Sequence, residues 1–268
     1  MQLTSLDQID RNYRHIYLQP HFDDAALSAG GAIALQHETG QRPLIVTVFG
    51  GIPPAGAQIS AYAQQLHQRM GLGNDIAEAV RKRRAEDAAA ADILGADTLW
   101  LDYLDAIYRG SPALYTAEEQ LFGAVNPGDL QLDEELAGVF GQIVERSPQA
   151  AIYAPLGIGG HVDHQLCCSA ADRLAQRKVN VKFYEDFPYV TQPGALAARQ
   201  SQLNIQMEPE LVEISGMIPT KLEAATAYTS QIGQLFQSED RLRTLLNSYA
   251  TSIRKTYPGI ALERYWRW

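Results

Sequence analysis

Short apolar runs alternate with longer segments of helical periodicity along most of the chain. A continuous apolar run of this length is typical of a strand that is buried on both faces. The runs predict strands at residues 16–18, 43–49, 99–101, 151–154 and 179–185. The periodic segments between them predict helices at residues 25–35, 75–94, 133–144 and 162–176. Strands that alternate with helices indicate βα units, so we predict an α/β fold with a mainly parallel sheet flanked by helices.

Local signals predict further elements after residue 200. The apolar residues 211–214 predict a strand that pairs antiparallel at an edge of the sheet. Thr220 and Glu223 have the spacing of a capping box for a helix at 221–236. Ser238 is placed to cap a helix that runs to Thr251. Aromatic residues near the end of the chain are expected to cover the core; they are Tyr257, Tyr265, Trp266 and Trp268.

Two long connections interrupt the pattern, at residues 52–74 and 106–130. The first contains one short amphipathic piece at 62–70. Connections of this length often serve as lids or binding loops, although a structureless excursion fits the sequence equally well. The basic cluster at residues 81–84, within the predicted helix at 75–94, favours a solvated helix face.

The composition is that of an ordinary globular protein, with 268 residues, 46% apolar and 20% charged. Nothing in it forces a division, so we expect one domain over residues 1–268. The formal charge of −9 argues against nucleic acids and anionic membranes as partners, because clustered lysine and arginine bind both. No apolar run approaches the roughly 18 residues of a membrane span, and residues 1–12 lack a secretory signal. The adjacent Cys167 and Cys168 cannot easily bridge to each other, which fits the cytoplasm, the compartment we expect.

The first candidate site is the segment His21-Phe22-Asp23-Asp24, which follows the predicted strand at 16–18. Ligands usually bind at the carboxyl ends of strands in an open α/β sheet. Two adjacent aspartates repel each other unless a positive charge holds them, and His21 and Asp24 are spaced to reach one divalent metal ion. The alternative is that the acids only cap the helix behind them, which leaves His21 unexplained.

The second candidate site is the segment His161-Val162-Asp163-His164, after the predicted strand at 151–154. Several glycines at 157–160 permit close approach of the backbone to a ligand. The helix at 162–176 would place His161 and His164 on one face. A lone histidine is usually a hydrogen-bonded polar residue, but two histidines and an aspartate at a strand end favour a functional cluster.

The two segments together contain the ligands of a catalytic zinc site. Such a site takes three protein ligands and leaves the fourth position to water. His21, Asp24 and His164 would supply two imidazoles and one carboxylate. Zinc lowers the pKa of its bound water toward about 7, and Asp23 is placed to act as the general base when this water attacks a carbonyl.

The remaining residues of the second segment have predicted catalytic roles as well. A protonated His161 would stabilise the oxyanion and donate a proton to the departing amine. Asp163 would orient an imidazole through a hydrogen bond. These roles predict a metal-dependent hydrolase that cleaves an amide.

Two other site types fit the sequence less well. His161-x-Asp163 also begins the facial triad of iron oxygenases, but this triad needs a later histidine, and none follows His164. A phosphate-binding module would need G-x-G-x-x-G or G-x-x-x-x-G-K-[ST], and the chain has neither.

The paired motifs resemble those of the PIG-L family of zinc de-N-acetylases, also called LmbE-like proteins. The family's first motif, His-Pro-Asp-Asp-Glu before a Gly-Gly helix, stands here as His21-Phe22-Asp23-Asp24-Ala25 with Gly30-Gly31. Its second motif, His-x-Asp-His, stands as 161–164. Phe22 and Ala25 depart from the family's proline and glutamate, but neither change removes a ligand. The resemblance extends to 83–86 and to later residues, which are Leu94, Gly95, Lys221, Tyr228, Ser230 and Gln231.

The resemblance implies a Rossmann-like sheet, with zinc, or iron as the alternative, on His21, Asp24 and His164. It also implies that Arg83 and Asp105 contact substrate hydroxyl groups. The expected substrate is a small amino sugar, such as an N-acetylglucosamine conjugate, that loses an acetyl group from its amide nitrogen. The alternatives are a catalytically silent sugar-binding relative and a hydrolase of another amide. The sequence does not decide between a monomer and a homo-oligomer.

Overall fold

Eight strands of the described residues form one mixed, mostly parallel sheet. The computed structural model describes residues 1–253 and 259–268. The strands are β1 (Gln2–Leu3), β2 (His15–Gln19), β3 (Pro43–Thr47), β4 (Asp97–Trp100), β5 (Ala151–Pro155), β6 (Val181–Tyr184), β7 (Glu208–Glu213) and β8 (Leu262–Arg267). Their order across the sheet is β1-β4-β3-β2-β5-β6-β8-β7. The first six of these positions are parallel, whereas β8 pairs antiparallel with both β6 and β7.

Helices pack on both faces of this sheet. They are α1 (Asp24–Glu38), α2 (Ala61–Arg69), α3 (Ile76–Leu94), α4 (Glu118–Leu121), α5 (Leu130–Arg146), α6 (Val162–Gln176), α7 (Ala195–Leu203), α8 (Ile218–Thr226), α9 (Thr229–Phe236) and α10 (Glu239–Ser252). Within the described ranges, no helix combines the length and the apolar character that a membrane span requires. The predicted α/β fold with a mainly parallel sheet is therefore confirmed.

The direction of the chain across the sheet reverses at β2. The chain moves from β2 to β3 on one side, and β5 later pairs with the opposite side of β2. In open α/β sheets, the crevice outside the carboxyl ends at such a reversal is the usual ligand site. Both candidate motifs lie at this point, because residues 21–24 follow β2 and residues 161–164 follow β5.

The five strands predicted in the first 185 residues are confirmed, and two further strands were missed. β1 has only two residues, too few for a pattern. For the residues of β8, the sequence predicts only aromatic side chains that cover the core. Tyr265 and Trp266 are indeed buried, but they belong to a strand in which the buried Glu263 hides the apolar pattern. Tyr257 lies outside the described residues.

The predicted helix at 221–236 is wrong in its bounds. Helix α8 begins earlier, at Ile218, with Pro219 in its first turn, a position that favours proline. Thr220 therefore lies inside the helix and forms no capping box. The chain leaves the helical conformation at Tyr228, and α9 starts anew where Glu86 accepts hydrogen bonds from the Ser230 backbone and hydroxyl.

Other predictions hold with smaller changes. The antiparallel edge strand is present as β7, and the Ser238 side chain caps α10 by accepting from the Arg241 amide. The amphipathic piece in the first long connection is α2. The basic cluster is only half solvated, because Arg84 donates to the Gly50 carbonyl and Arg83 turns toward the cleft.

A buried ion pair joins the last strand, β8, to α8, and its carboxylate also accepts hydrogen bonds from α1. Lys221 Nζ lies 2.7 Å from Glu263 Oε1. The two oxygens of Glu263 also accept from the amides of Gly31 and Ala32, at 2.8 and 2.9 Å. A side chain at position 31 has no space here, because a Cβ would lie 2.7 Å from Ile214 Cδ1 and 2.9 Å from Glu263 Oε1. This contact explains the second glycine of the pair inside a helix.

We expect Gly31→Ala to lower the free energy of unfolding by about 1–3 kcal/mol through overpacking. The matched control is Gly138→Ala in α5, where an added Cβ meets nothing within 4 Å. This control should raise stability by up to about 1 kcal/mol, because alanine favours helix over glycine. Urea unfolding of the three proteins measures both changes. Equal effects of the two substitutions would contradict the proposed contact.

Candidate metal centre and active site

Four strand ends converge on one cleft of about 440 Å³. The motif at 21–24 follows β2, Asp105 follows β4, the motif at 161–164 follows β5, and Asp186 follows β6. The lining includes six residues that the sequence predicted: His21, Asp23, Asp24, Arg83, Asp105 and His161. Asp163 and His164 are also buried, and both contact lining residues.

Hydrogen bonds of the Gln19 side chain hold the turn between β2 and α1. Gln19 Oε1 accepts from the Ala25 amide at 3.0 Å, and Gln19 Nε2 donates to Asp87 at 2.9 Å. Asp87 lies on α3 and also accepts from Trp100 and Tyr228. These contacts fix where the side chains of residues 21–24 leave the strand.

Asp24 lies between two imidazoles. Its Oδ2 atom is 3.5 Å from His21 Nδ1 and 3.4 Å from His164 Nε2. The same oxygen accepts from the His21 amide at 2.8 Å. Two segments about 140 residues apart in sequence therefore present two ring nitrogens and one carboxylate to the same point.

The opposite nitrogen of each of these imidazoles contacts a buried carboxylate. His21 Nε2 lies 2.9 Å from Asp163 Oδ2, and His164 Nδ1 lies 2.7 Å from Asp186 Oδ1. Histidines that bind metals almost always make such a contact, because it fixes the tautomer and the orientation of the ring. The nitrogens left free are the two that face Asp24. The residues present therefore fit a divalent metal of the zinc type.

A second set of possible ligands shares two members with the first. One nitrogen each from His21, His161 and His164 lie within 4.8 Å of one another. However, His161 Nδ1 already accepts from the Asp163 amide at 3.2 Å. The set with Asp24 also supplies a negative charge, which offsets part of the charge of a divalent cation.

The two adjacent aspartates differ strongly in their affinity for a proton. Burial and the charge of Asp24 raise the pKa of Asp23 to about 8. Burial acts on Asp24 in the same direction, but the imidazoles of His164 and His21 outweigh it and lower the pKa of Asp24 to about 2. Neighbouring acids whose environments separate their pKa values are typical of acid–base sites. A cation beside Asp24 would also favour the ionised form of Asp23, which is the form a base needs.

The backbone at Asp23 is strained. Its φ of 136° lies in a region that non-glycine residues rarely adopt, and such strain is found most often at functional sites. Although Asp23 occupies the position before α1, its side chain makes no capping hydrogen bond. The alternative that the two acids only cap this helix is therefore wrong for Asp23.

His161 is held as a neutral imidazole. Its Nδ1 atom accepts from the Asp163 amide, so the ring proton resides on Nε2. Burial and the neighbouring His21 keep the pKa of His161 well below its usual range. The ring can therefore donate a hydrogen bond to an oxyanion. The same environment argues against the expected protonated His161 that releases a proton.

Arg83 and Asp105 form the side of the cleft next to Asp23. Arg83 Nη1 lies 3.6 Å from Asp105 Oδ2, and Arg83 Nη2 lies 3.9 Å from Asp23 Oδ1. Arg83 Nε is buried and has no hydrogen-bond partner among the described residues. An arginine that lines the cleft between two acids is suited to bind a substrate hydroxyl group through its guanidinium.

Sequence reasoning missed two residues that support the site. Asp186 follows β6 as the other acids follow their strands, so its position was a usable signal. Arg109 lies in a long connection, and no motif marks it. Its Nη1 atom is 2.6 Å from Asp163 Oδ1, and the charge of this arginine helps to keep Asp163 ionised opposite His21.

The chain is similar in sequence to proteins that are named as deacetylases. The family model PIG-L, described as GlcNAc-PI de-N-acetylase, matches residues 16–175, which include both motifs. The 2'-N-acetylparomamine deacetylase of Niallia circulans is 30% identical over 236 residues, which are 84% of this chain and 82% of that protein. The protein of the same name from Streptomyces fradiae is 28% identical over 82% of this chain and 74% of its own length.

A solved structure is similar to this chain in fold and, at about the same identity as the two relatives above, in sequence. The zinc-inhibited form of teicoplanin deacetylase Orf2 superposes with a TM-score of 0.79 at 28% identity, over 94% of this chain and 97% of that one. The family model covers more than half of the chain, and the Niallia relative reaches 30% identity over most of it. The chain therefore belongs to the PIG-L family.

Proposed function

We propose that this protein is a metal-dependent hydrolase that removes an acetyl group from the amide nitrogen of an amino sugar. The observation that supports the metal site is the placement of Asp24 between two imidazoles, each oriented by a buried carboxylate. The names of the relatives support the acetylated amine as the group that reacts. Zinc is the proposed metal, with iron as the alternative.

The metal would be held by His21, Asp24 and His164, where it would act as a Lewis acid on the amide carbonyl and lower the pKa of water. Asp23 takes a proton from the attacking water. The same carboxyl group then returns this proton to the departing amine, since burial and the neighbouring His21 keep His161 from taking up a second proton that it could release. His161 donates a hydrogen bond from Nε2 to the carbonyl oxygen as it becomes negative.

The sugar is positioned by the side of the cleft that lies next to the base. Arg83 and Asp105 offer a donor and an acceptor to neighbouring hydroxyl groups. Because both lie within 4 Å of each other, they would hold the sugar ring as one unit and bring its amide toward Asp23. Orientation of this kind lowers the barrier by restricting the substrate before the reaction.

The first test is acetate release from a panel of N-acetylglucosaminides by metal-loaded protein. We expect Asp23→Asn to lower kcat by about 10²–10⁴-fold, the usual contribution of a general base, with metal content unchanged. The control is Asp102→Asn, an exposed acid near the same sheet edge whose side chain is 95% exposed, which should keep full activity. Turnover by Asp23→Asn equal to that of the wild type would refute the role of Asp23. Binding of sugars without any turnover by the wild type would favour the silent relative instead.

The second test concerns the residue that orients His164. Asp186→Asn should weaken metal affinity by roughly 10–100-fold, because the contact that fixes the imidazole is lost. Titration with zinc, followed by calorimetry, measures this affinity directly. Glu185→Gln is a neighbouring control, because Glu185 contacts Arg264 and Trp266 rather than a histidine. An Asp186 variant with unchanged zinc affinity would refute the role of Asp186 in orienting His164 for the metal.

The third test separates Arg83 from the rest of its basic cluster. Arg83→Met should lower kcat/KM by roughly 10–100-fold, because a charged hydrogen bond is worth about 1.5–3 kcal/mol. Arg81→Met on the same helix is the control, since Arg81 is 54% exposed and forms its ion pair within the described residues with Glu78, away from the cleft lining. Steady-state kinetics on the hydrolysed substrate measure both variants. Equal values for the two would mean that Arg83 does not bind the sugar.

A further inference from the structure

Phe22 lies inside the first motif, but it does not line the cleft as its neighbours His21 and Asp23 do. The side chain is 2% exposed. Its ring packs edge-on against that of Trp100, with centroids 6.1 Å apart and planes at 86°. A Cβ at Gly50 would lie 3.2 Å from Phe22 Cζ, so the glycine leaves room for the far end of this ring. Packing on two sides therefore fixes the ring.

The guanidinium of Arg83 lies over this ring. Arg83 Cζ is 5.5 Å from the ring centroid of Phe22, within the distance of roughly 6 Å over which a cation is attracted to an aromatic face. The Arg83 side chain is 12% exposed, and shielding from water strengthens this attraction. The motif that carries the proposed metal ligands therefore also contacts the arginine that is proposed to bind the sugar.

The other contacts of Arg83 define its position only loosely. Its terminal nitrogens lie 3.6 Å from Asp105 and 3.9 Å from Asp23, and both distances are longer than an ordinary hydrogen bond. Its Nε has no hydrogen-bond partner in the part of the chain that the structure describes. Arg84 differs, because two of its nitrogens donate to the Gly50 carbonyl at 3.1 and 2.6 Å. Arg83 therefore depends more than Arg84 on contact with an aromatic ring.

A cation–π contact is well suited to an arginine that binds a substrate. The ring attracts the charge of the guanidinium and requires none of its N–H groups as a hydrogen-bond donor. A carboxylate at hydrogen-bond distance would occupy these donors instead. The Nη donors of Arg83 thus remain available to a ligand in the cleft.

On the basis of the proposed function, we propose that Phe22 is a positioning residue, which holds the Arg83 guanidinium at the sugar side of the cleft through a cation–π contact. The family's first motif has proline at this position, and proline has no aromatic ring. The chain therefore departs from that motif at the residue that supports its sugar-binding arginine. Phe22 contacts neither the substrate nor the metal and acts only through Arg83.

The first test weakens the cation–π contact with little change in the shape of the side chain. Fluorine withdraws electrons from an aromatic ring and lowers its attraction for a cation. We expect replacement of Phe22 by trifluorophenylalanine to lower kcat/KM for an N-acetylglucosaminide by about three- to tenfold. Replacement by monofluorophenylalanine should have a smaller effect. Zinc affinity, measured by calorimetry, should stay unchanged in both proteins.

Phe140 is the control for this replacement, because it is a buried phenylalanine of α5 that lies in the apolar core and outside the cleft lining. Trifluorophenylalanine at position 140 should leave kcat/KM unchanged. A protein with trifluorophenylalanine at position 22 and the kcat/KM of the wild type would overturn the proposal. Weaker zinc binding by that protein would also overturn it, because the effect would then arise at His21 and Asp24 rather than at Arg83.

The second test is a double-mutant cycle of Phe22→Leu and Arg83→Met. Leucine keeps much of the volume of phenylalanine but has no aromatic face. Phe22→Leu should lower kcat/KM by about three- to tenfold in the wild type. It should have no effect in the Arg83→Met variant, where the cation is absent. Equal losses in both backgrounds would show that Phe22 acts by shaping the turn, and they would overturn the proposal.

Urea unfolding of the same four proteins separates this proposal from the proposed function, because it needs no substrate. The effects of the two substitutions on stability should be less than additive, with a coupling of about two- to tenfold in the unfolding equilibrium constant. Additive effects would overturn the proposal, even for a wild type that is an active deacetylase. Coupling in unfolding without turnover of any N-acetylglucosaminide would refute the deacetylase activity and still support the contact of Phe22 with Arg83.

Discussion

The site depends on one electrostatic constraint, the enclosure of the Asp24 carboxylate between the imidazoles of His21 and His164. Each of these groups is buried, and a buried ionisable group is costly unless it is paired and hydrogen-bonded. Two further contacts offset this cost, because Asp163 contacts the outer nitrogen of His21 and Asp186 contacts the outer nitrogen of His164. The inner nitrogens are then fixed toward Asp24, and this arrangement suits a cation.

The fold makes this constraint possible by placing β5 next to β2. Neither motif alone could assemble the site, because His21 and His164 come from opposite sides of the point where the sheet order reverses. Three side chains of helix α3 contact the segments that surround the site. Its Asp87 holds Gln19 behind the first motif, its Glu86 holds the start of α9, and its Arg83 reaches the cleft. One helix thus supports the first motif, the start of α9 and the side of the cleft that contains Arg83.

Much of this could be predicted from sequence because the informative signals are local. Apolar runs marked the central strands, and the acids and histidines that follow β2 and β5 marked the site. The failures have physical causes. β8 carries a buried Glu263 that obscures its period, and the break between α8 and α9 depends on Glu86, which is distant in sequence. The neutral state of His161 depends on a backbone amide, and the role of Arg109 depends on tertiary contact. No local pattern reports these features.

The most direct measurement is the position of the metal in crystals of the zinc-loaded protein, located by anomalous scattering at the zinc edge. The account predicts one strong peak within bonding distance of His21 Nδ1, Asp24 Oδ2 and His164 Nε2, with the side chain of Asp23 nearby but unbound. A peak that His161 binds in place of Asp24, or a peak elsewhere in the molecule, would contradict it.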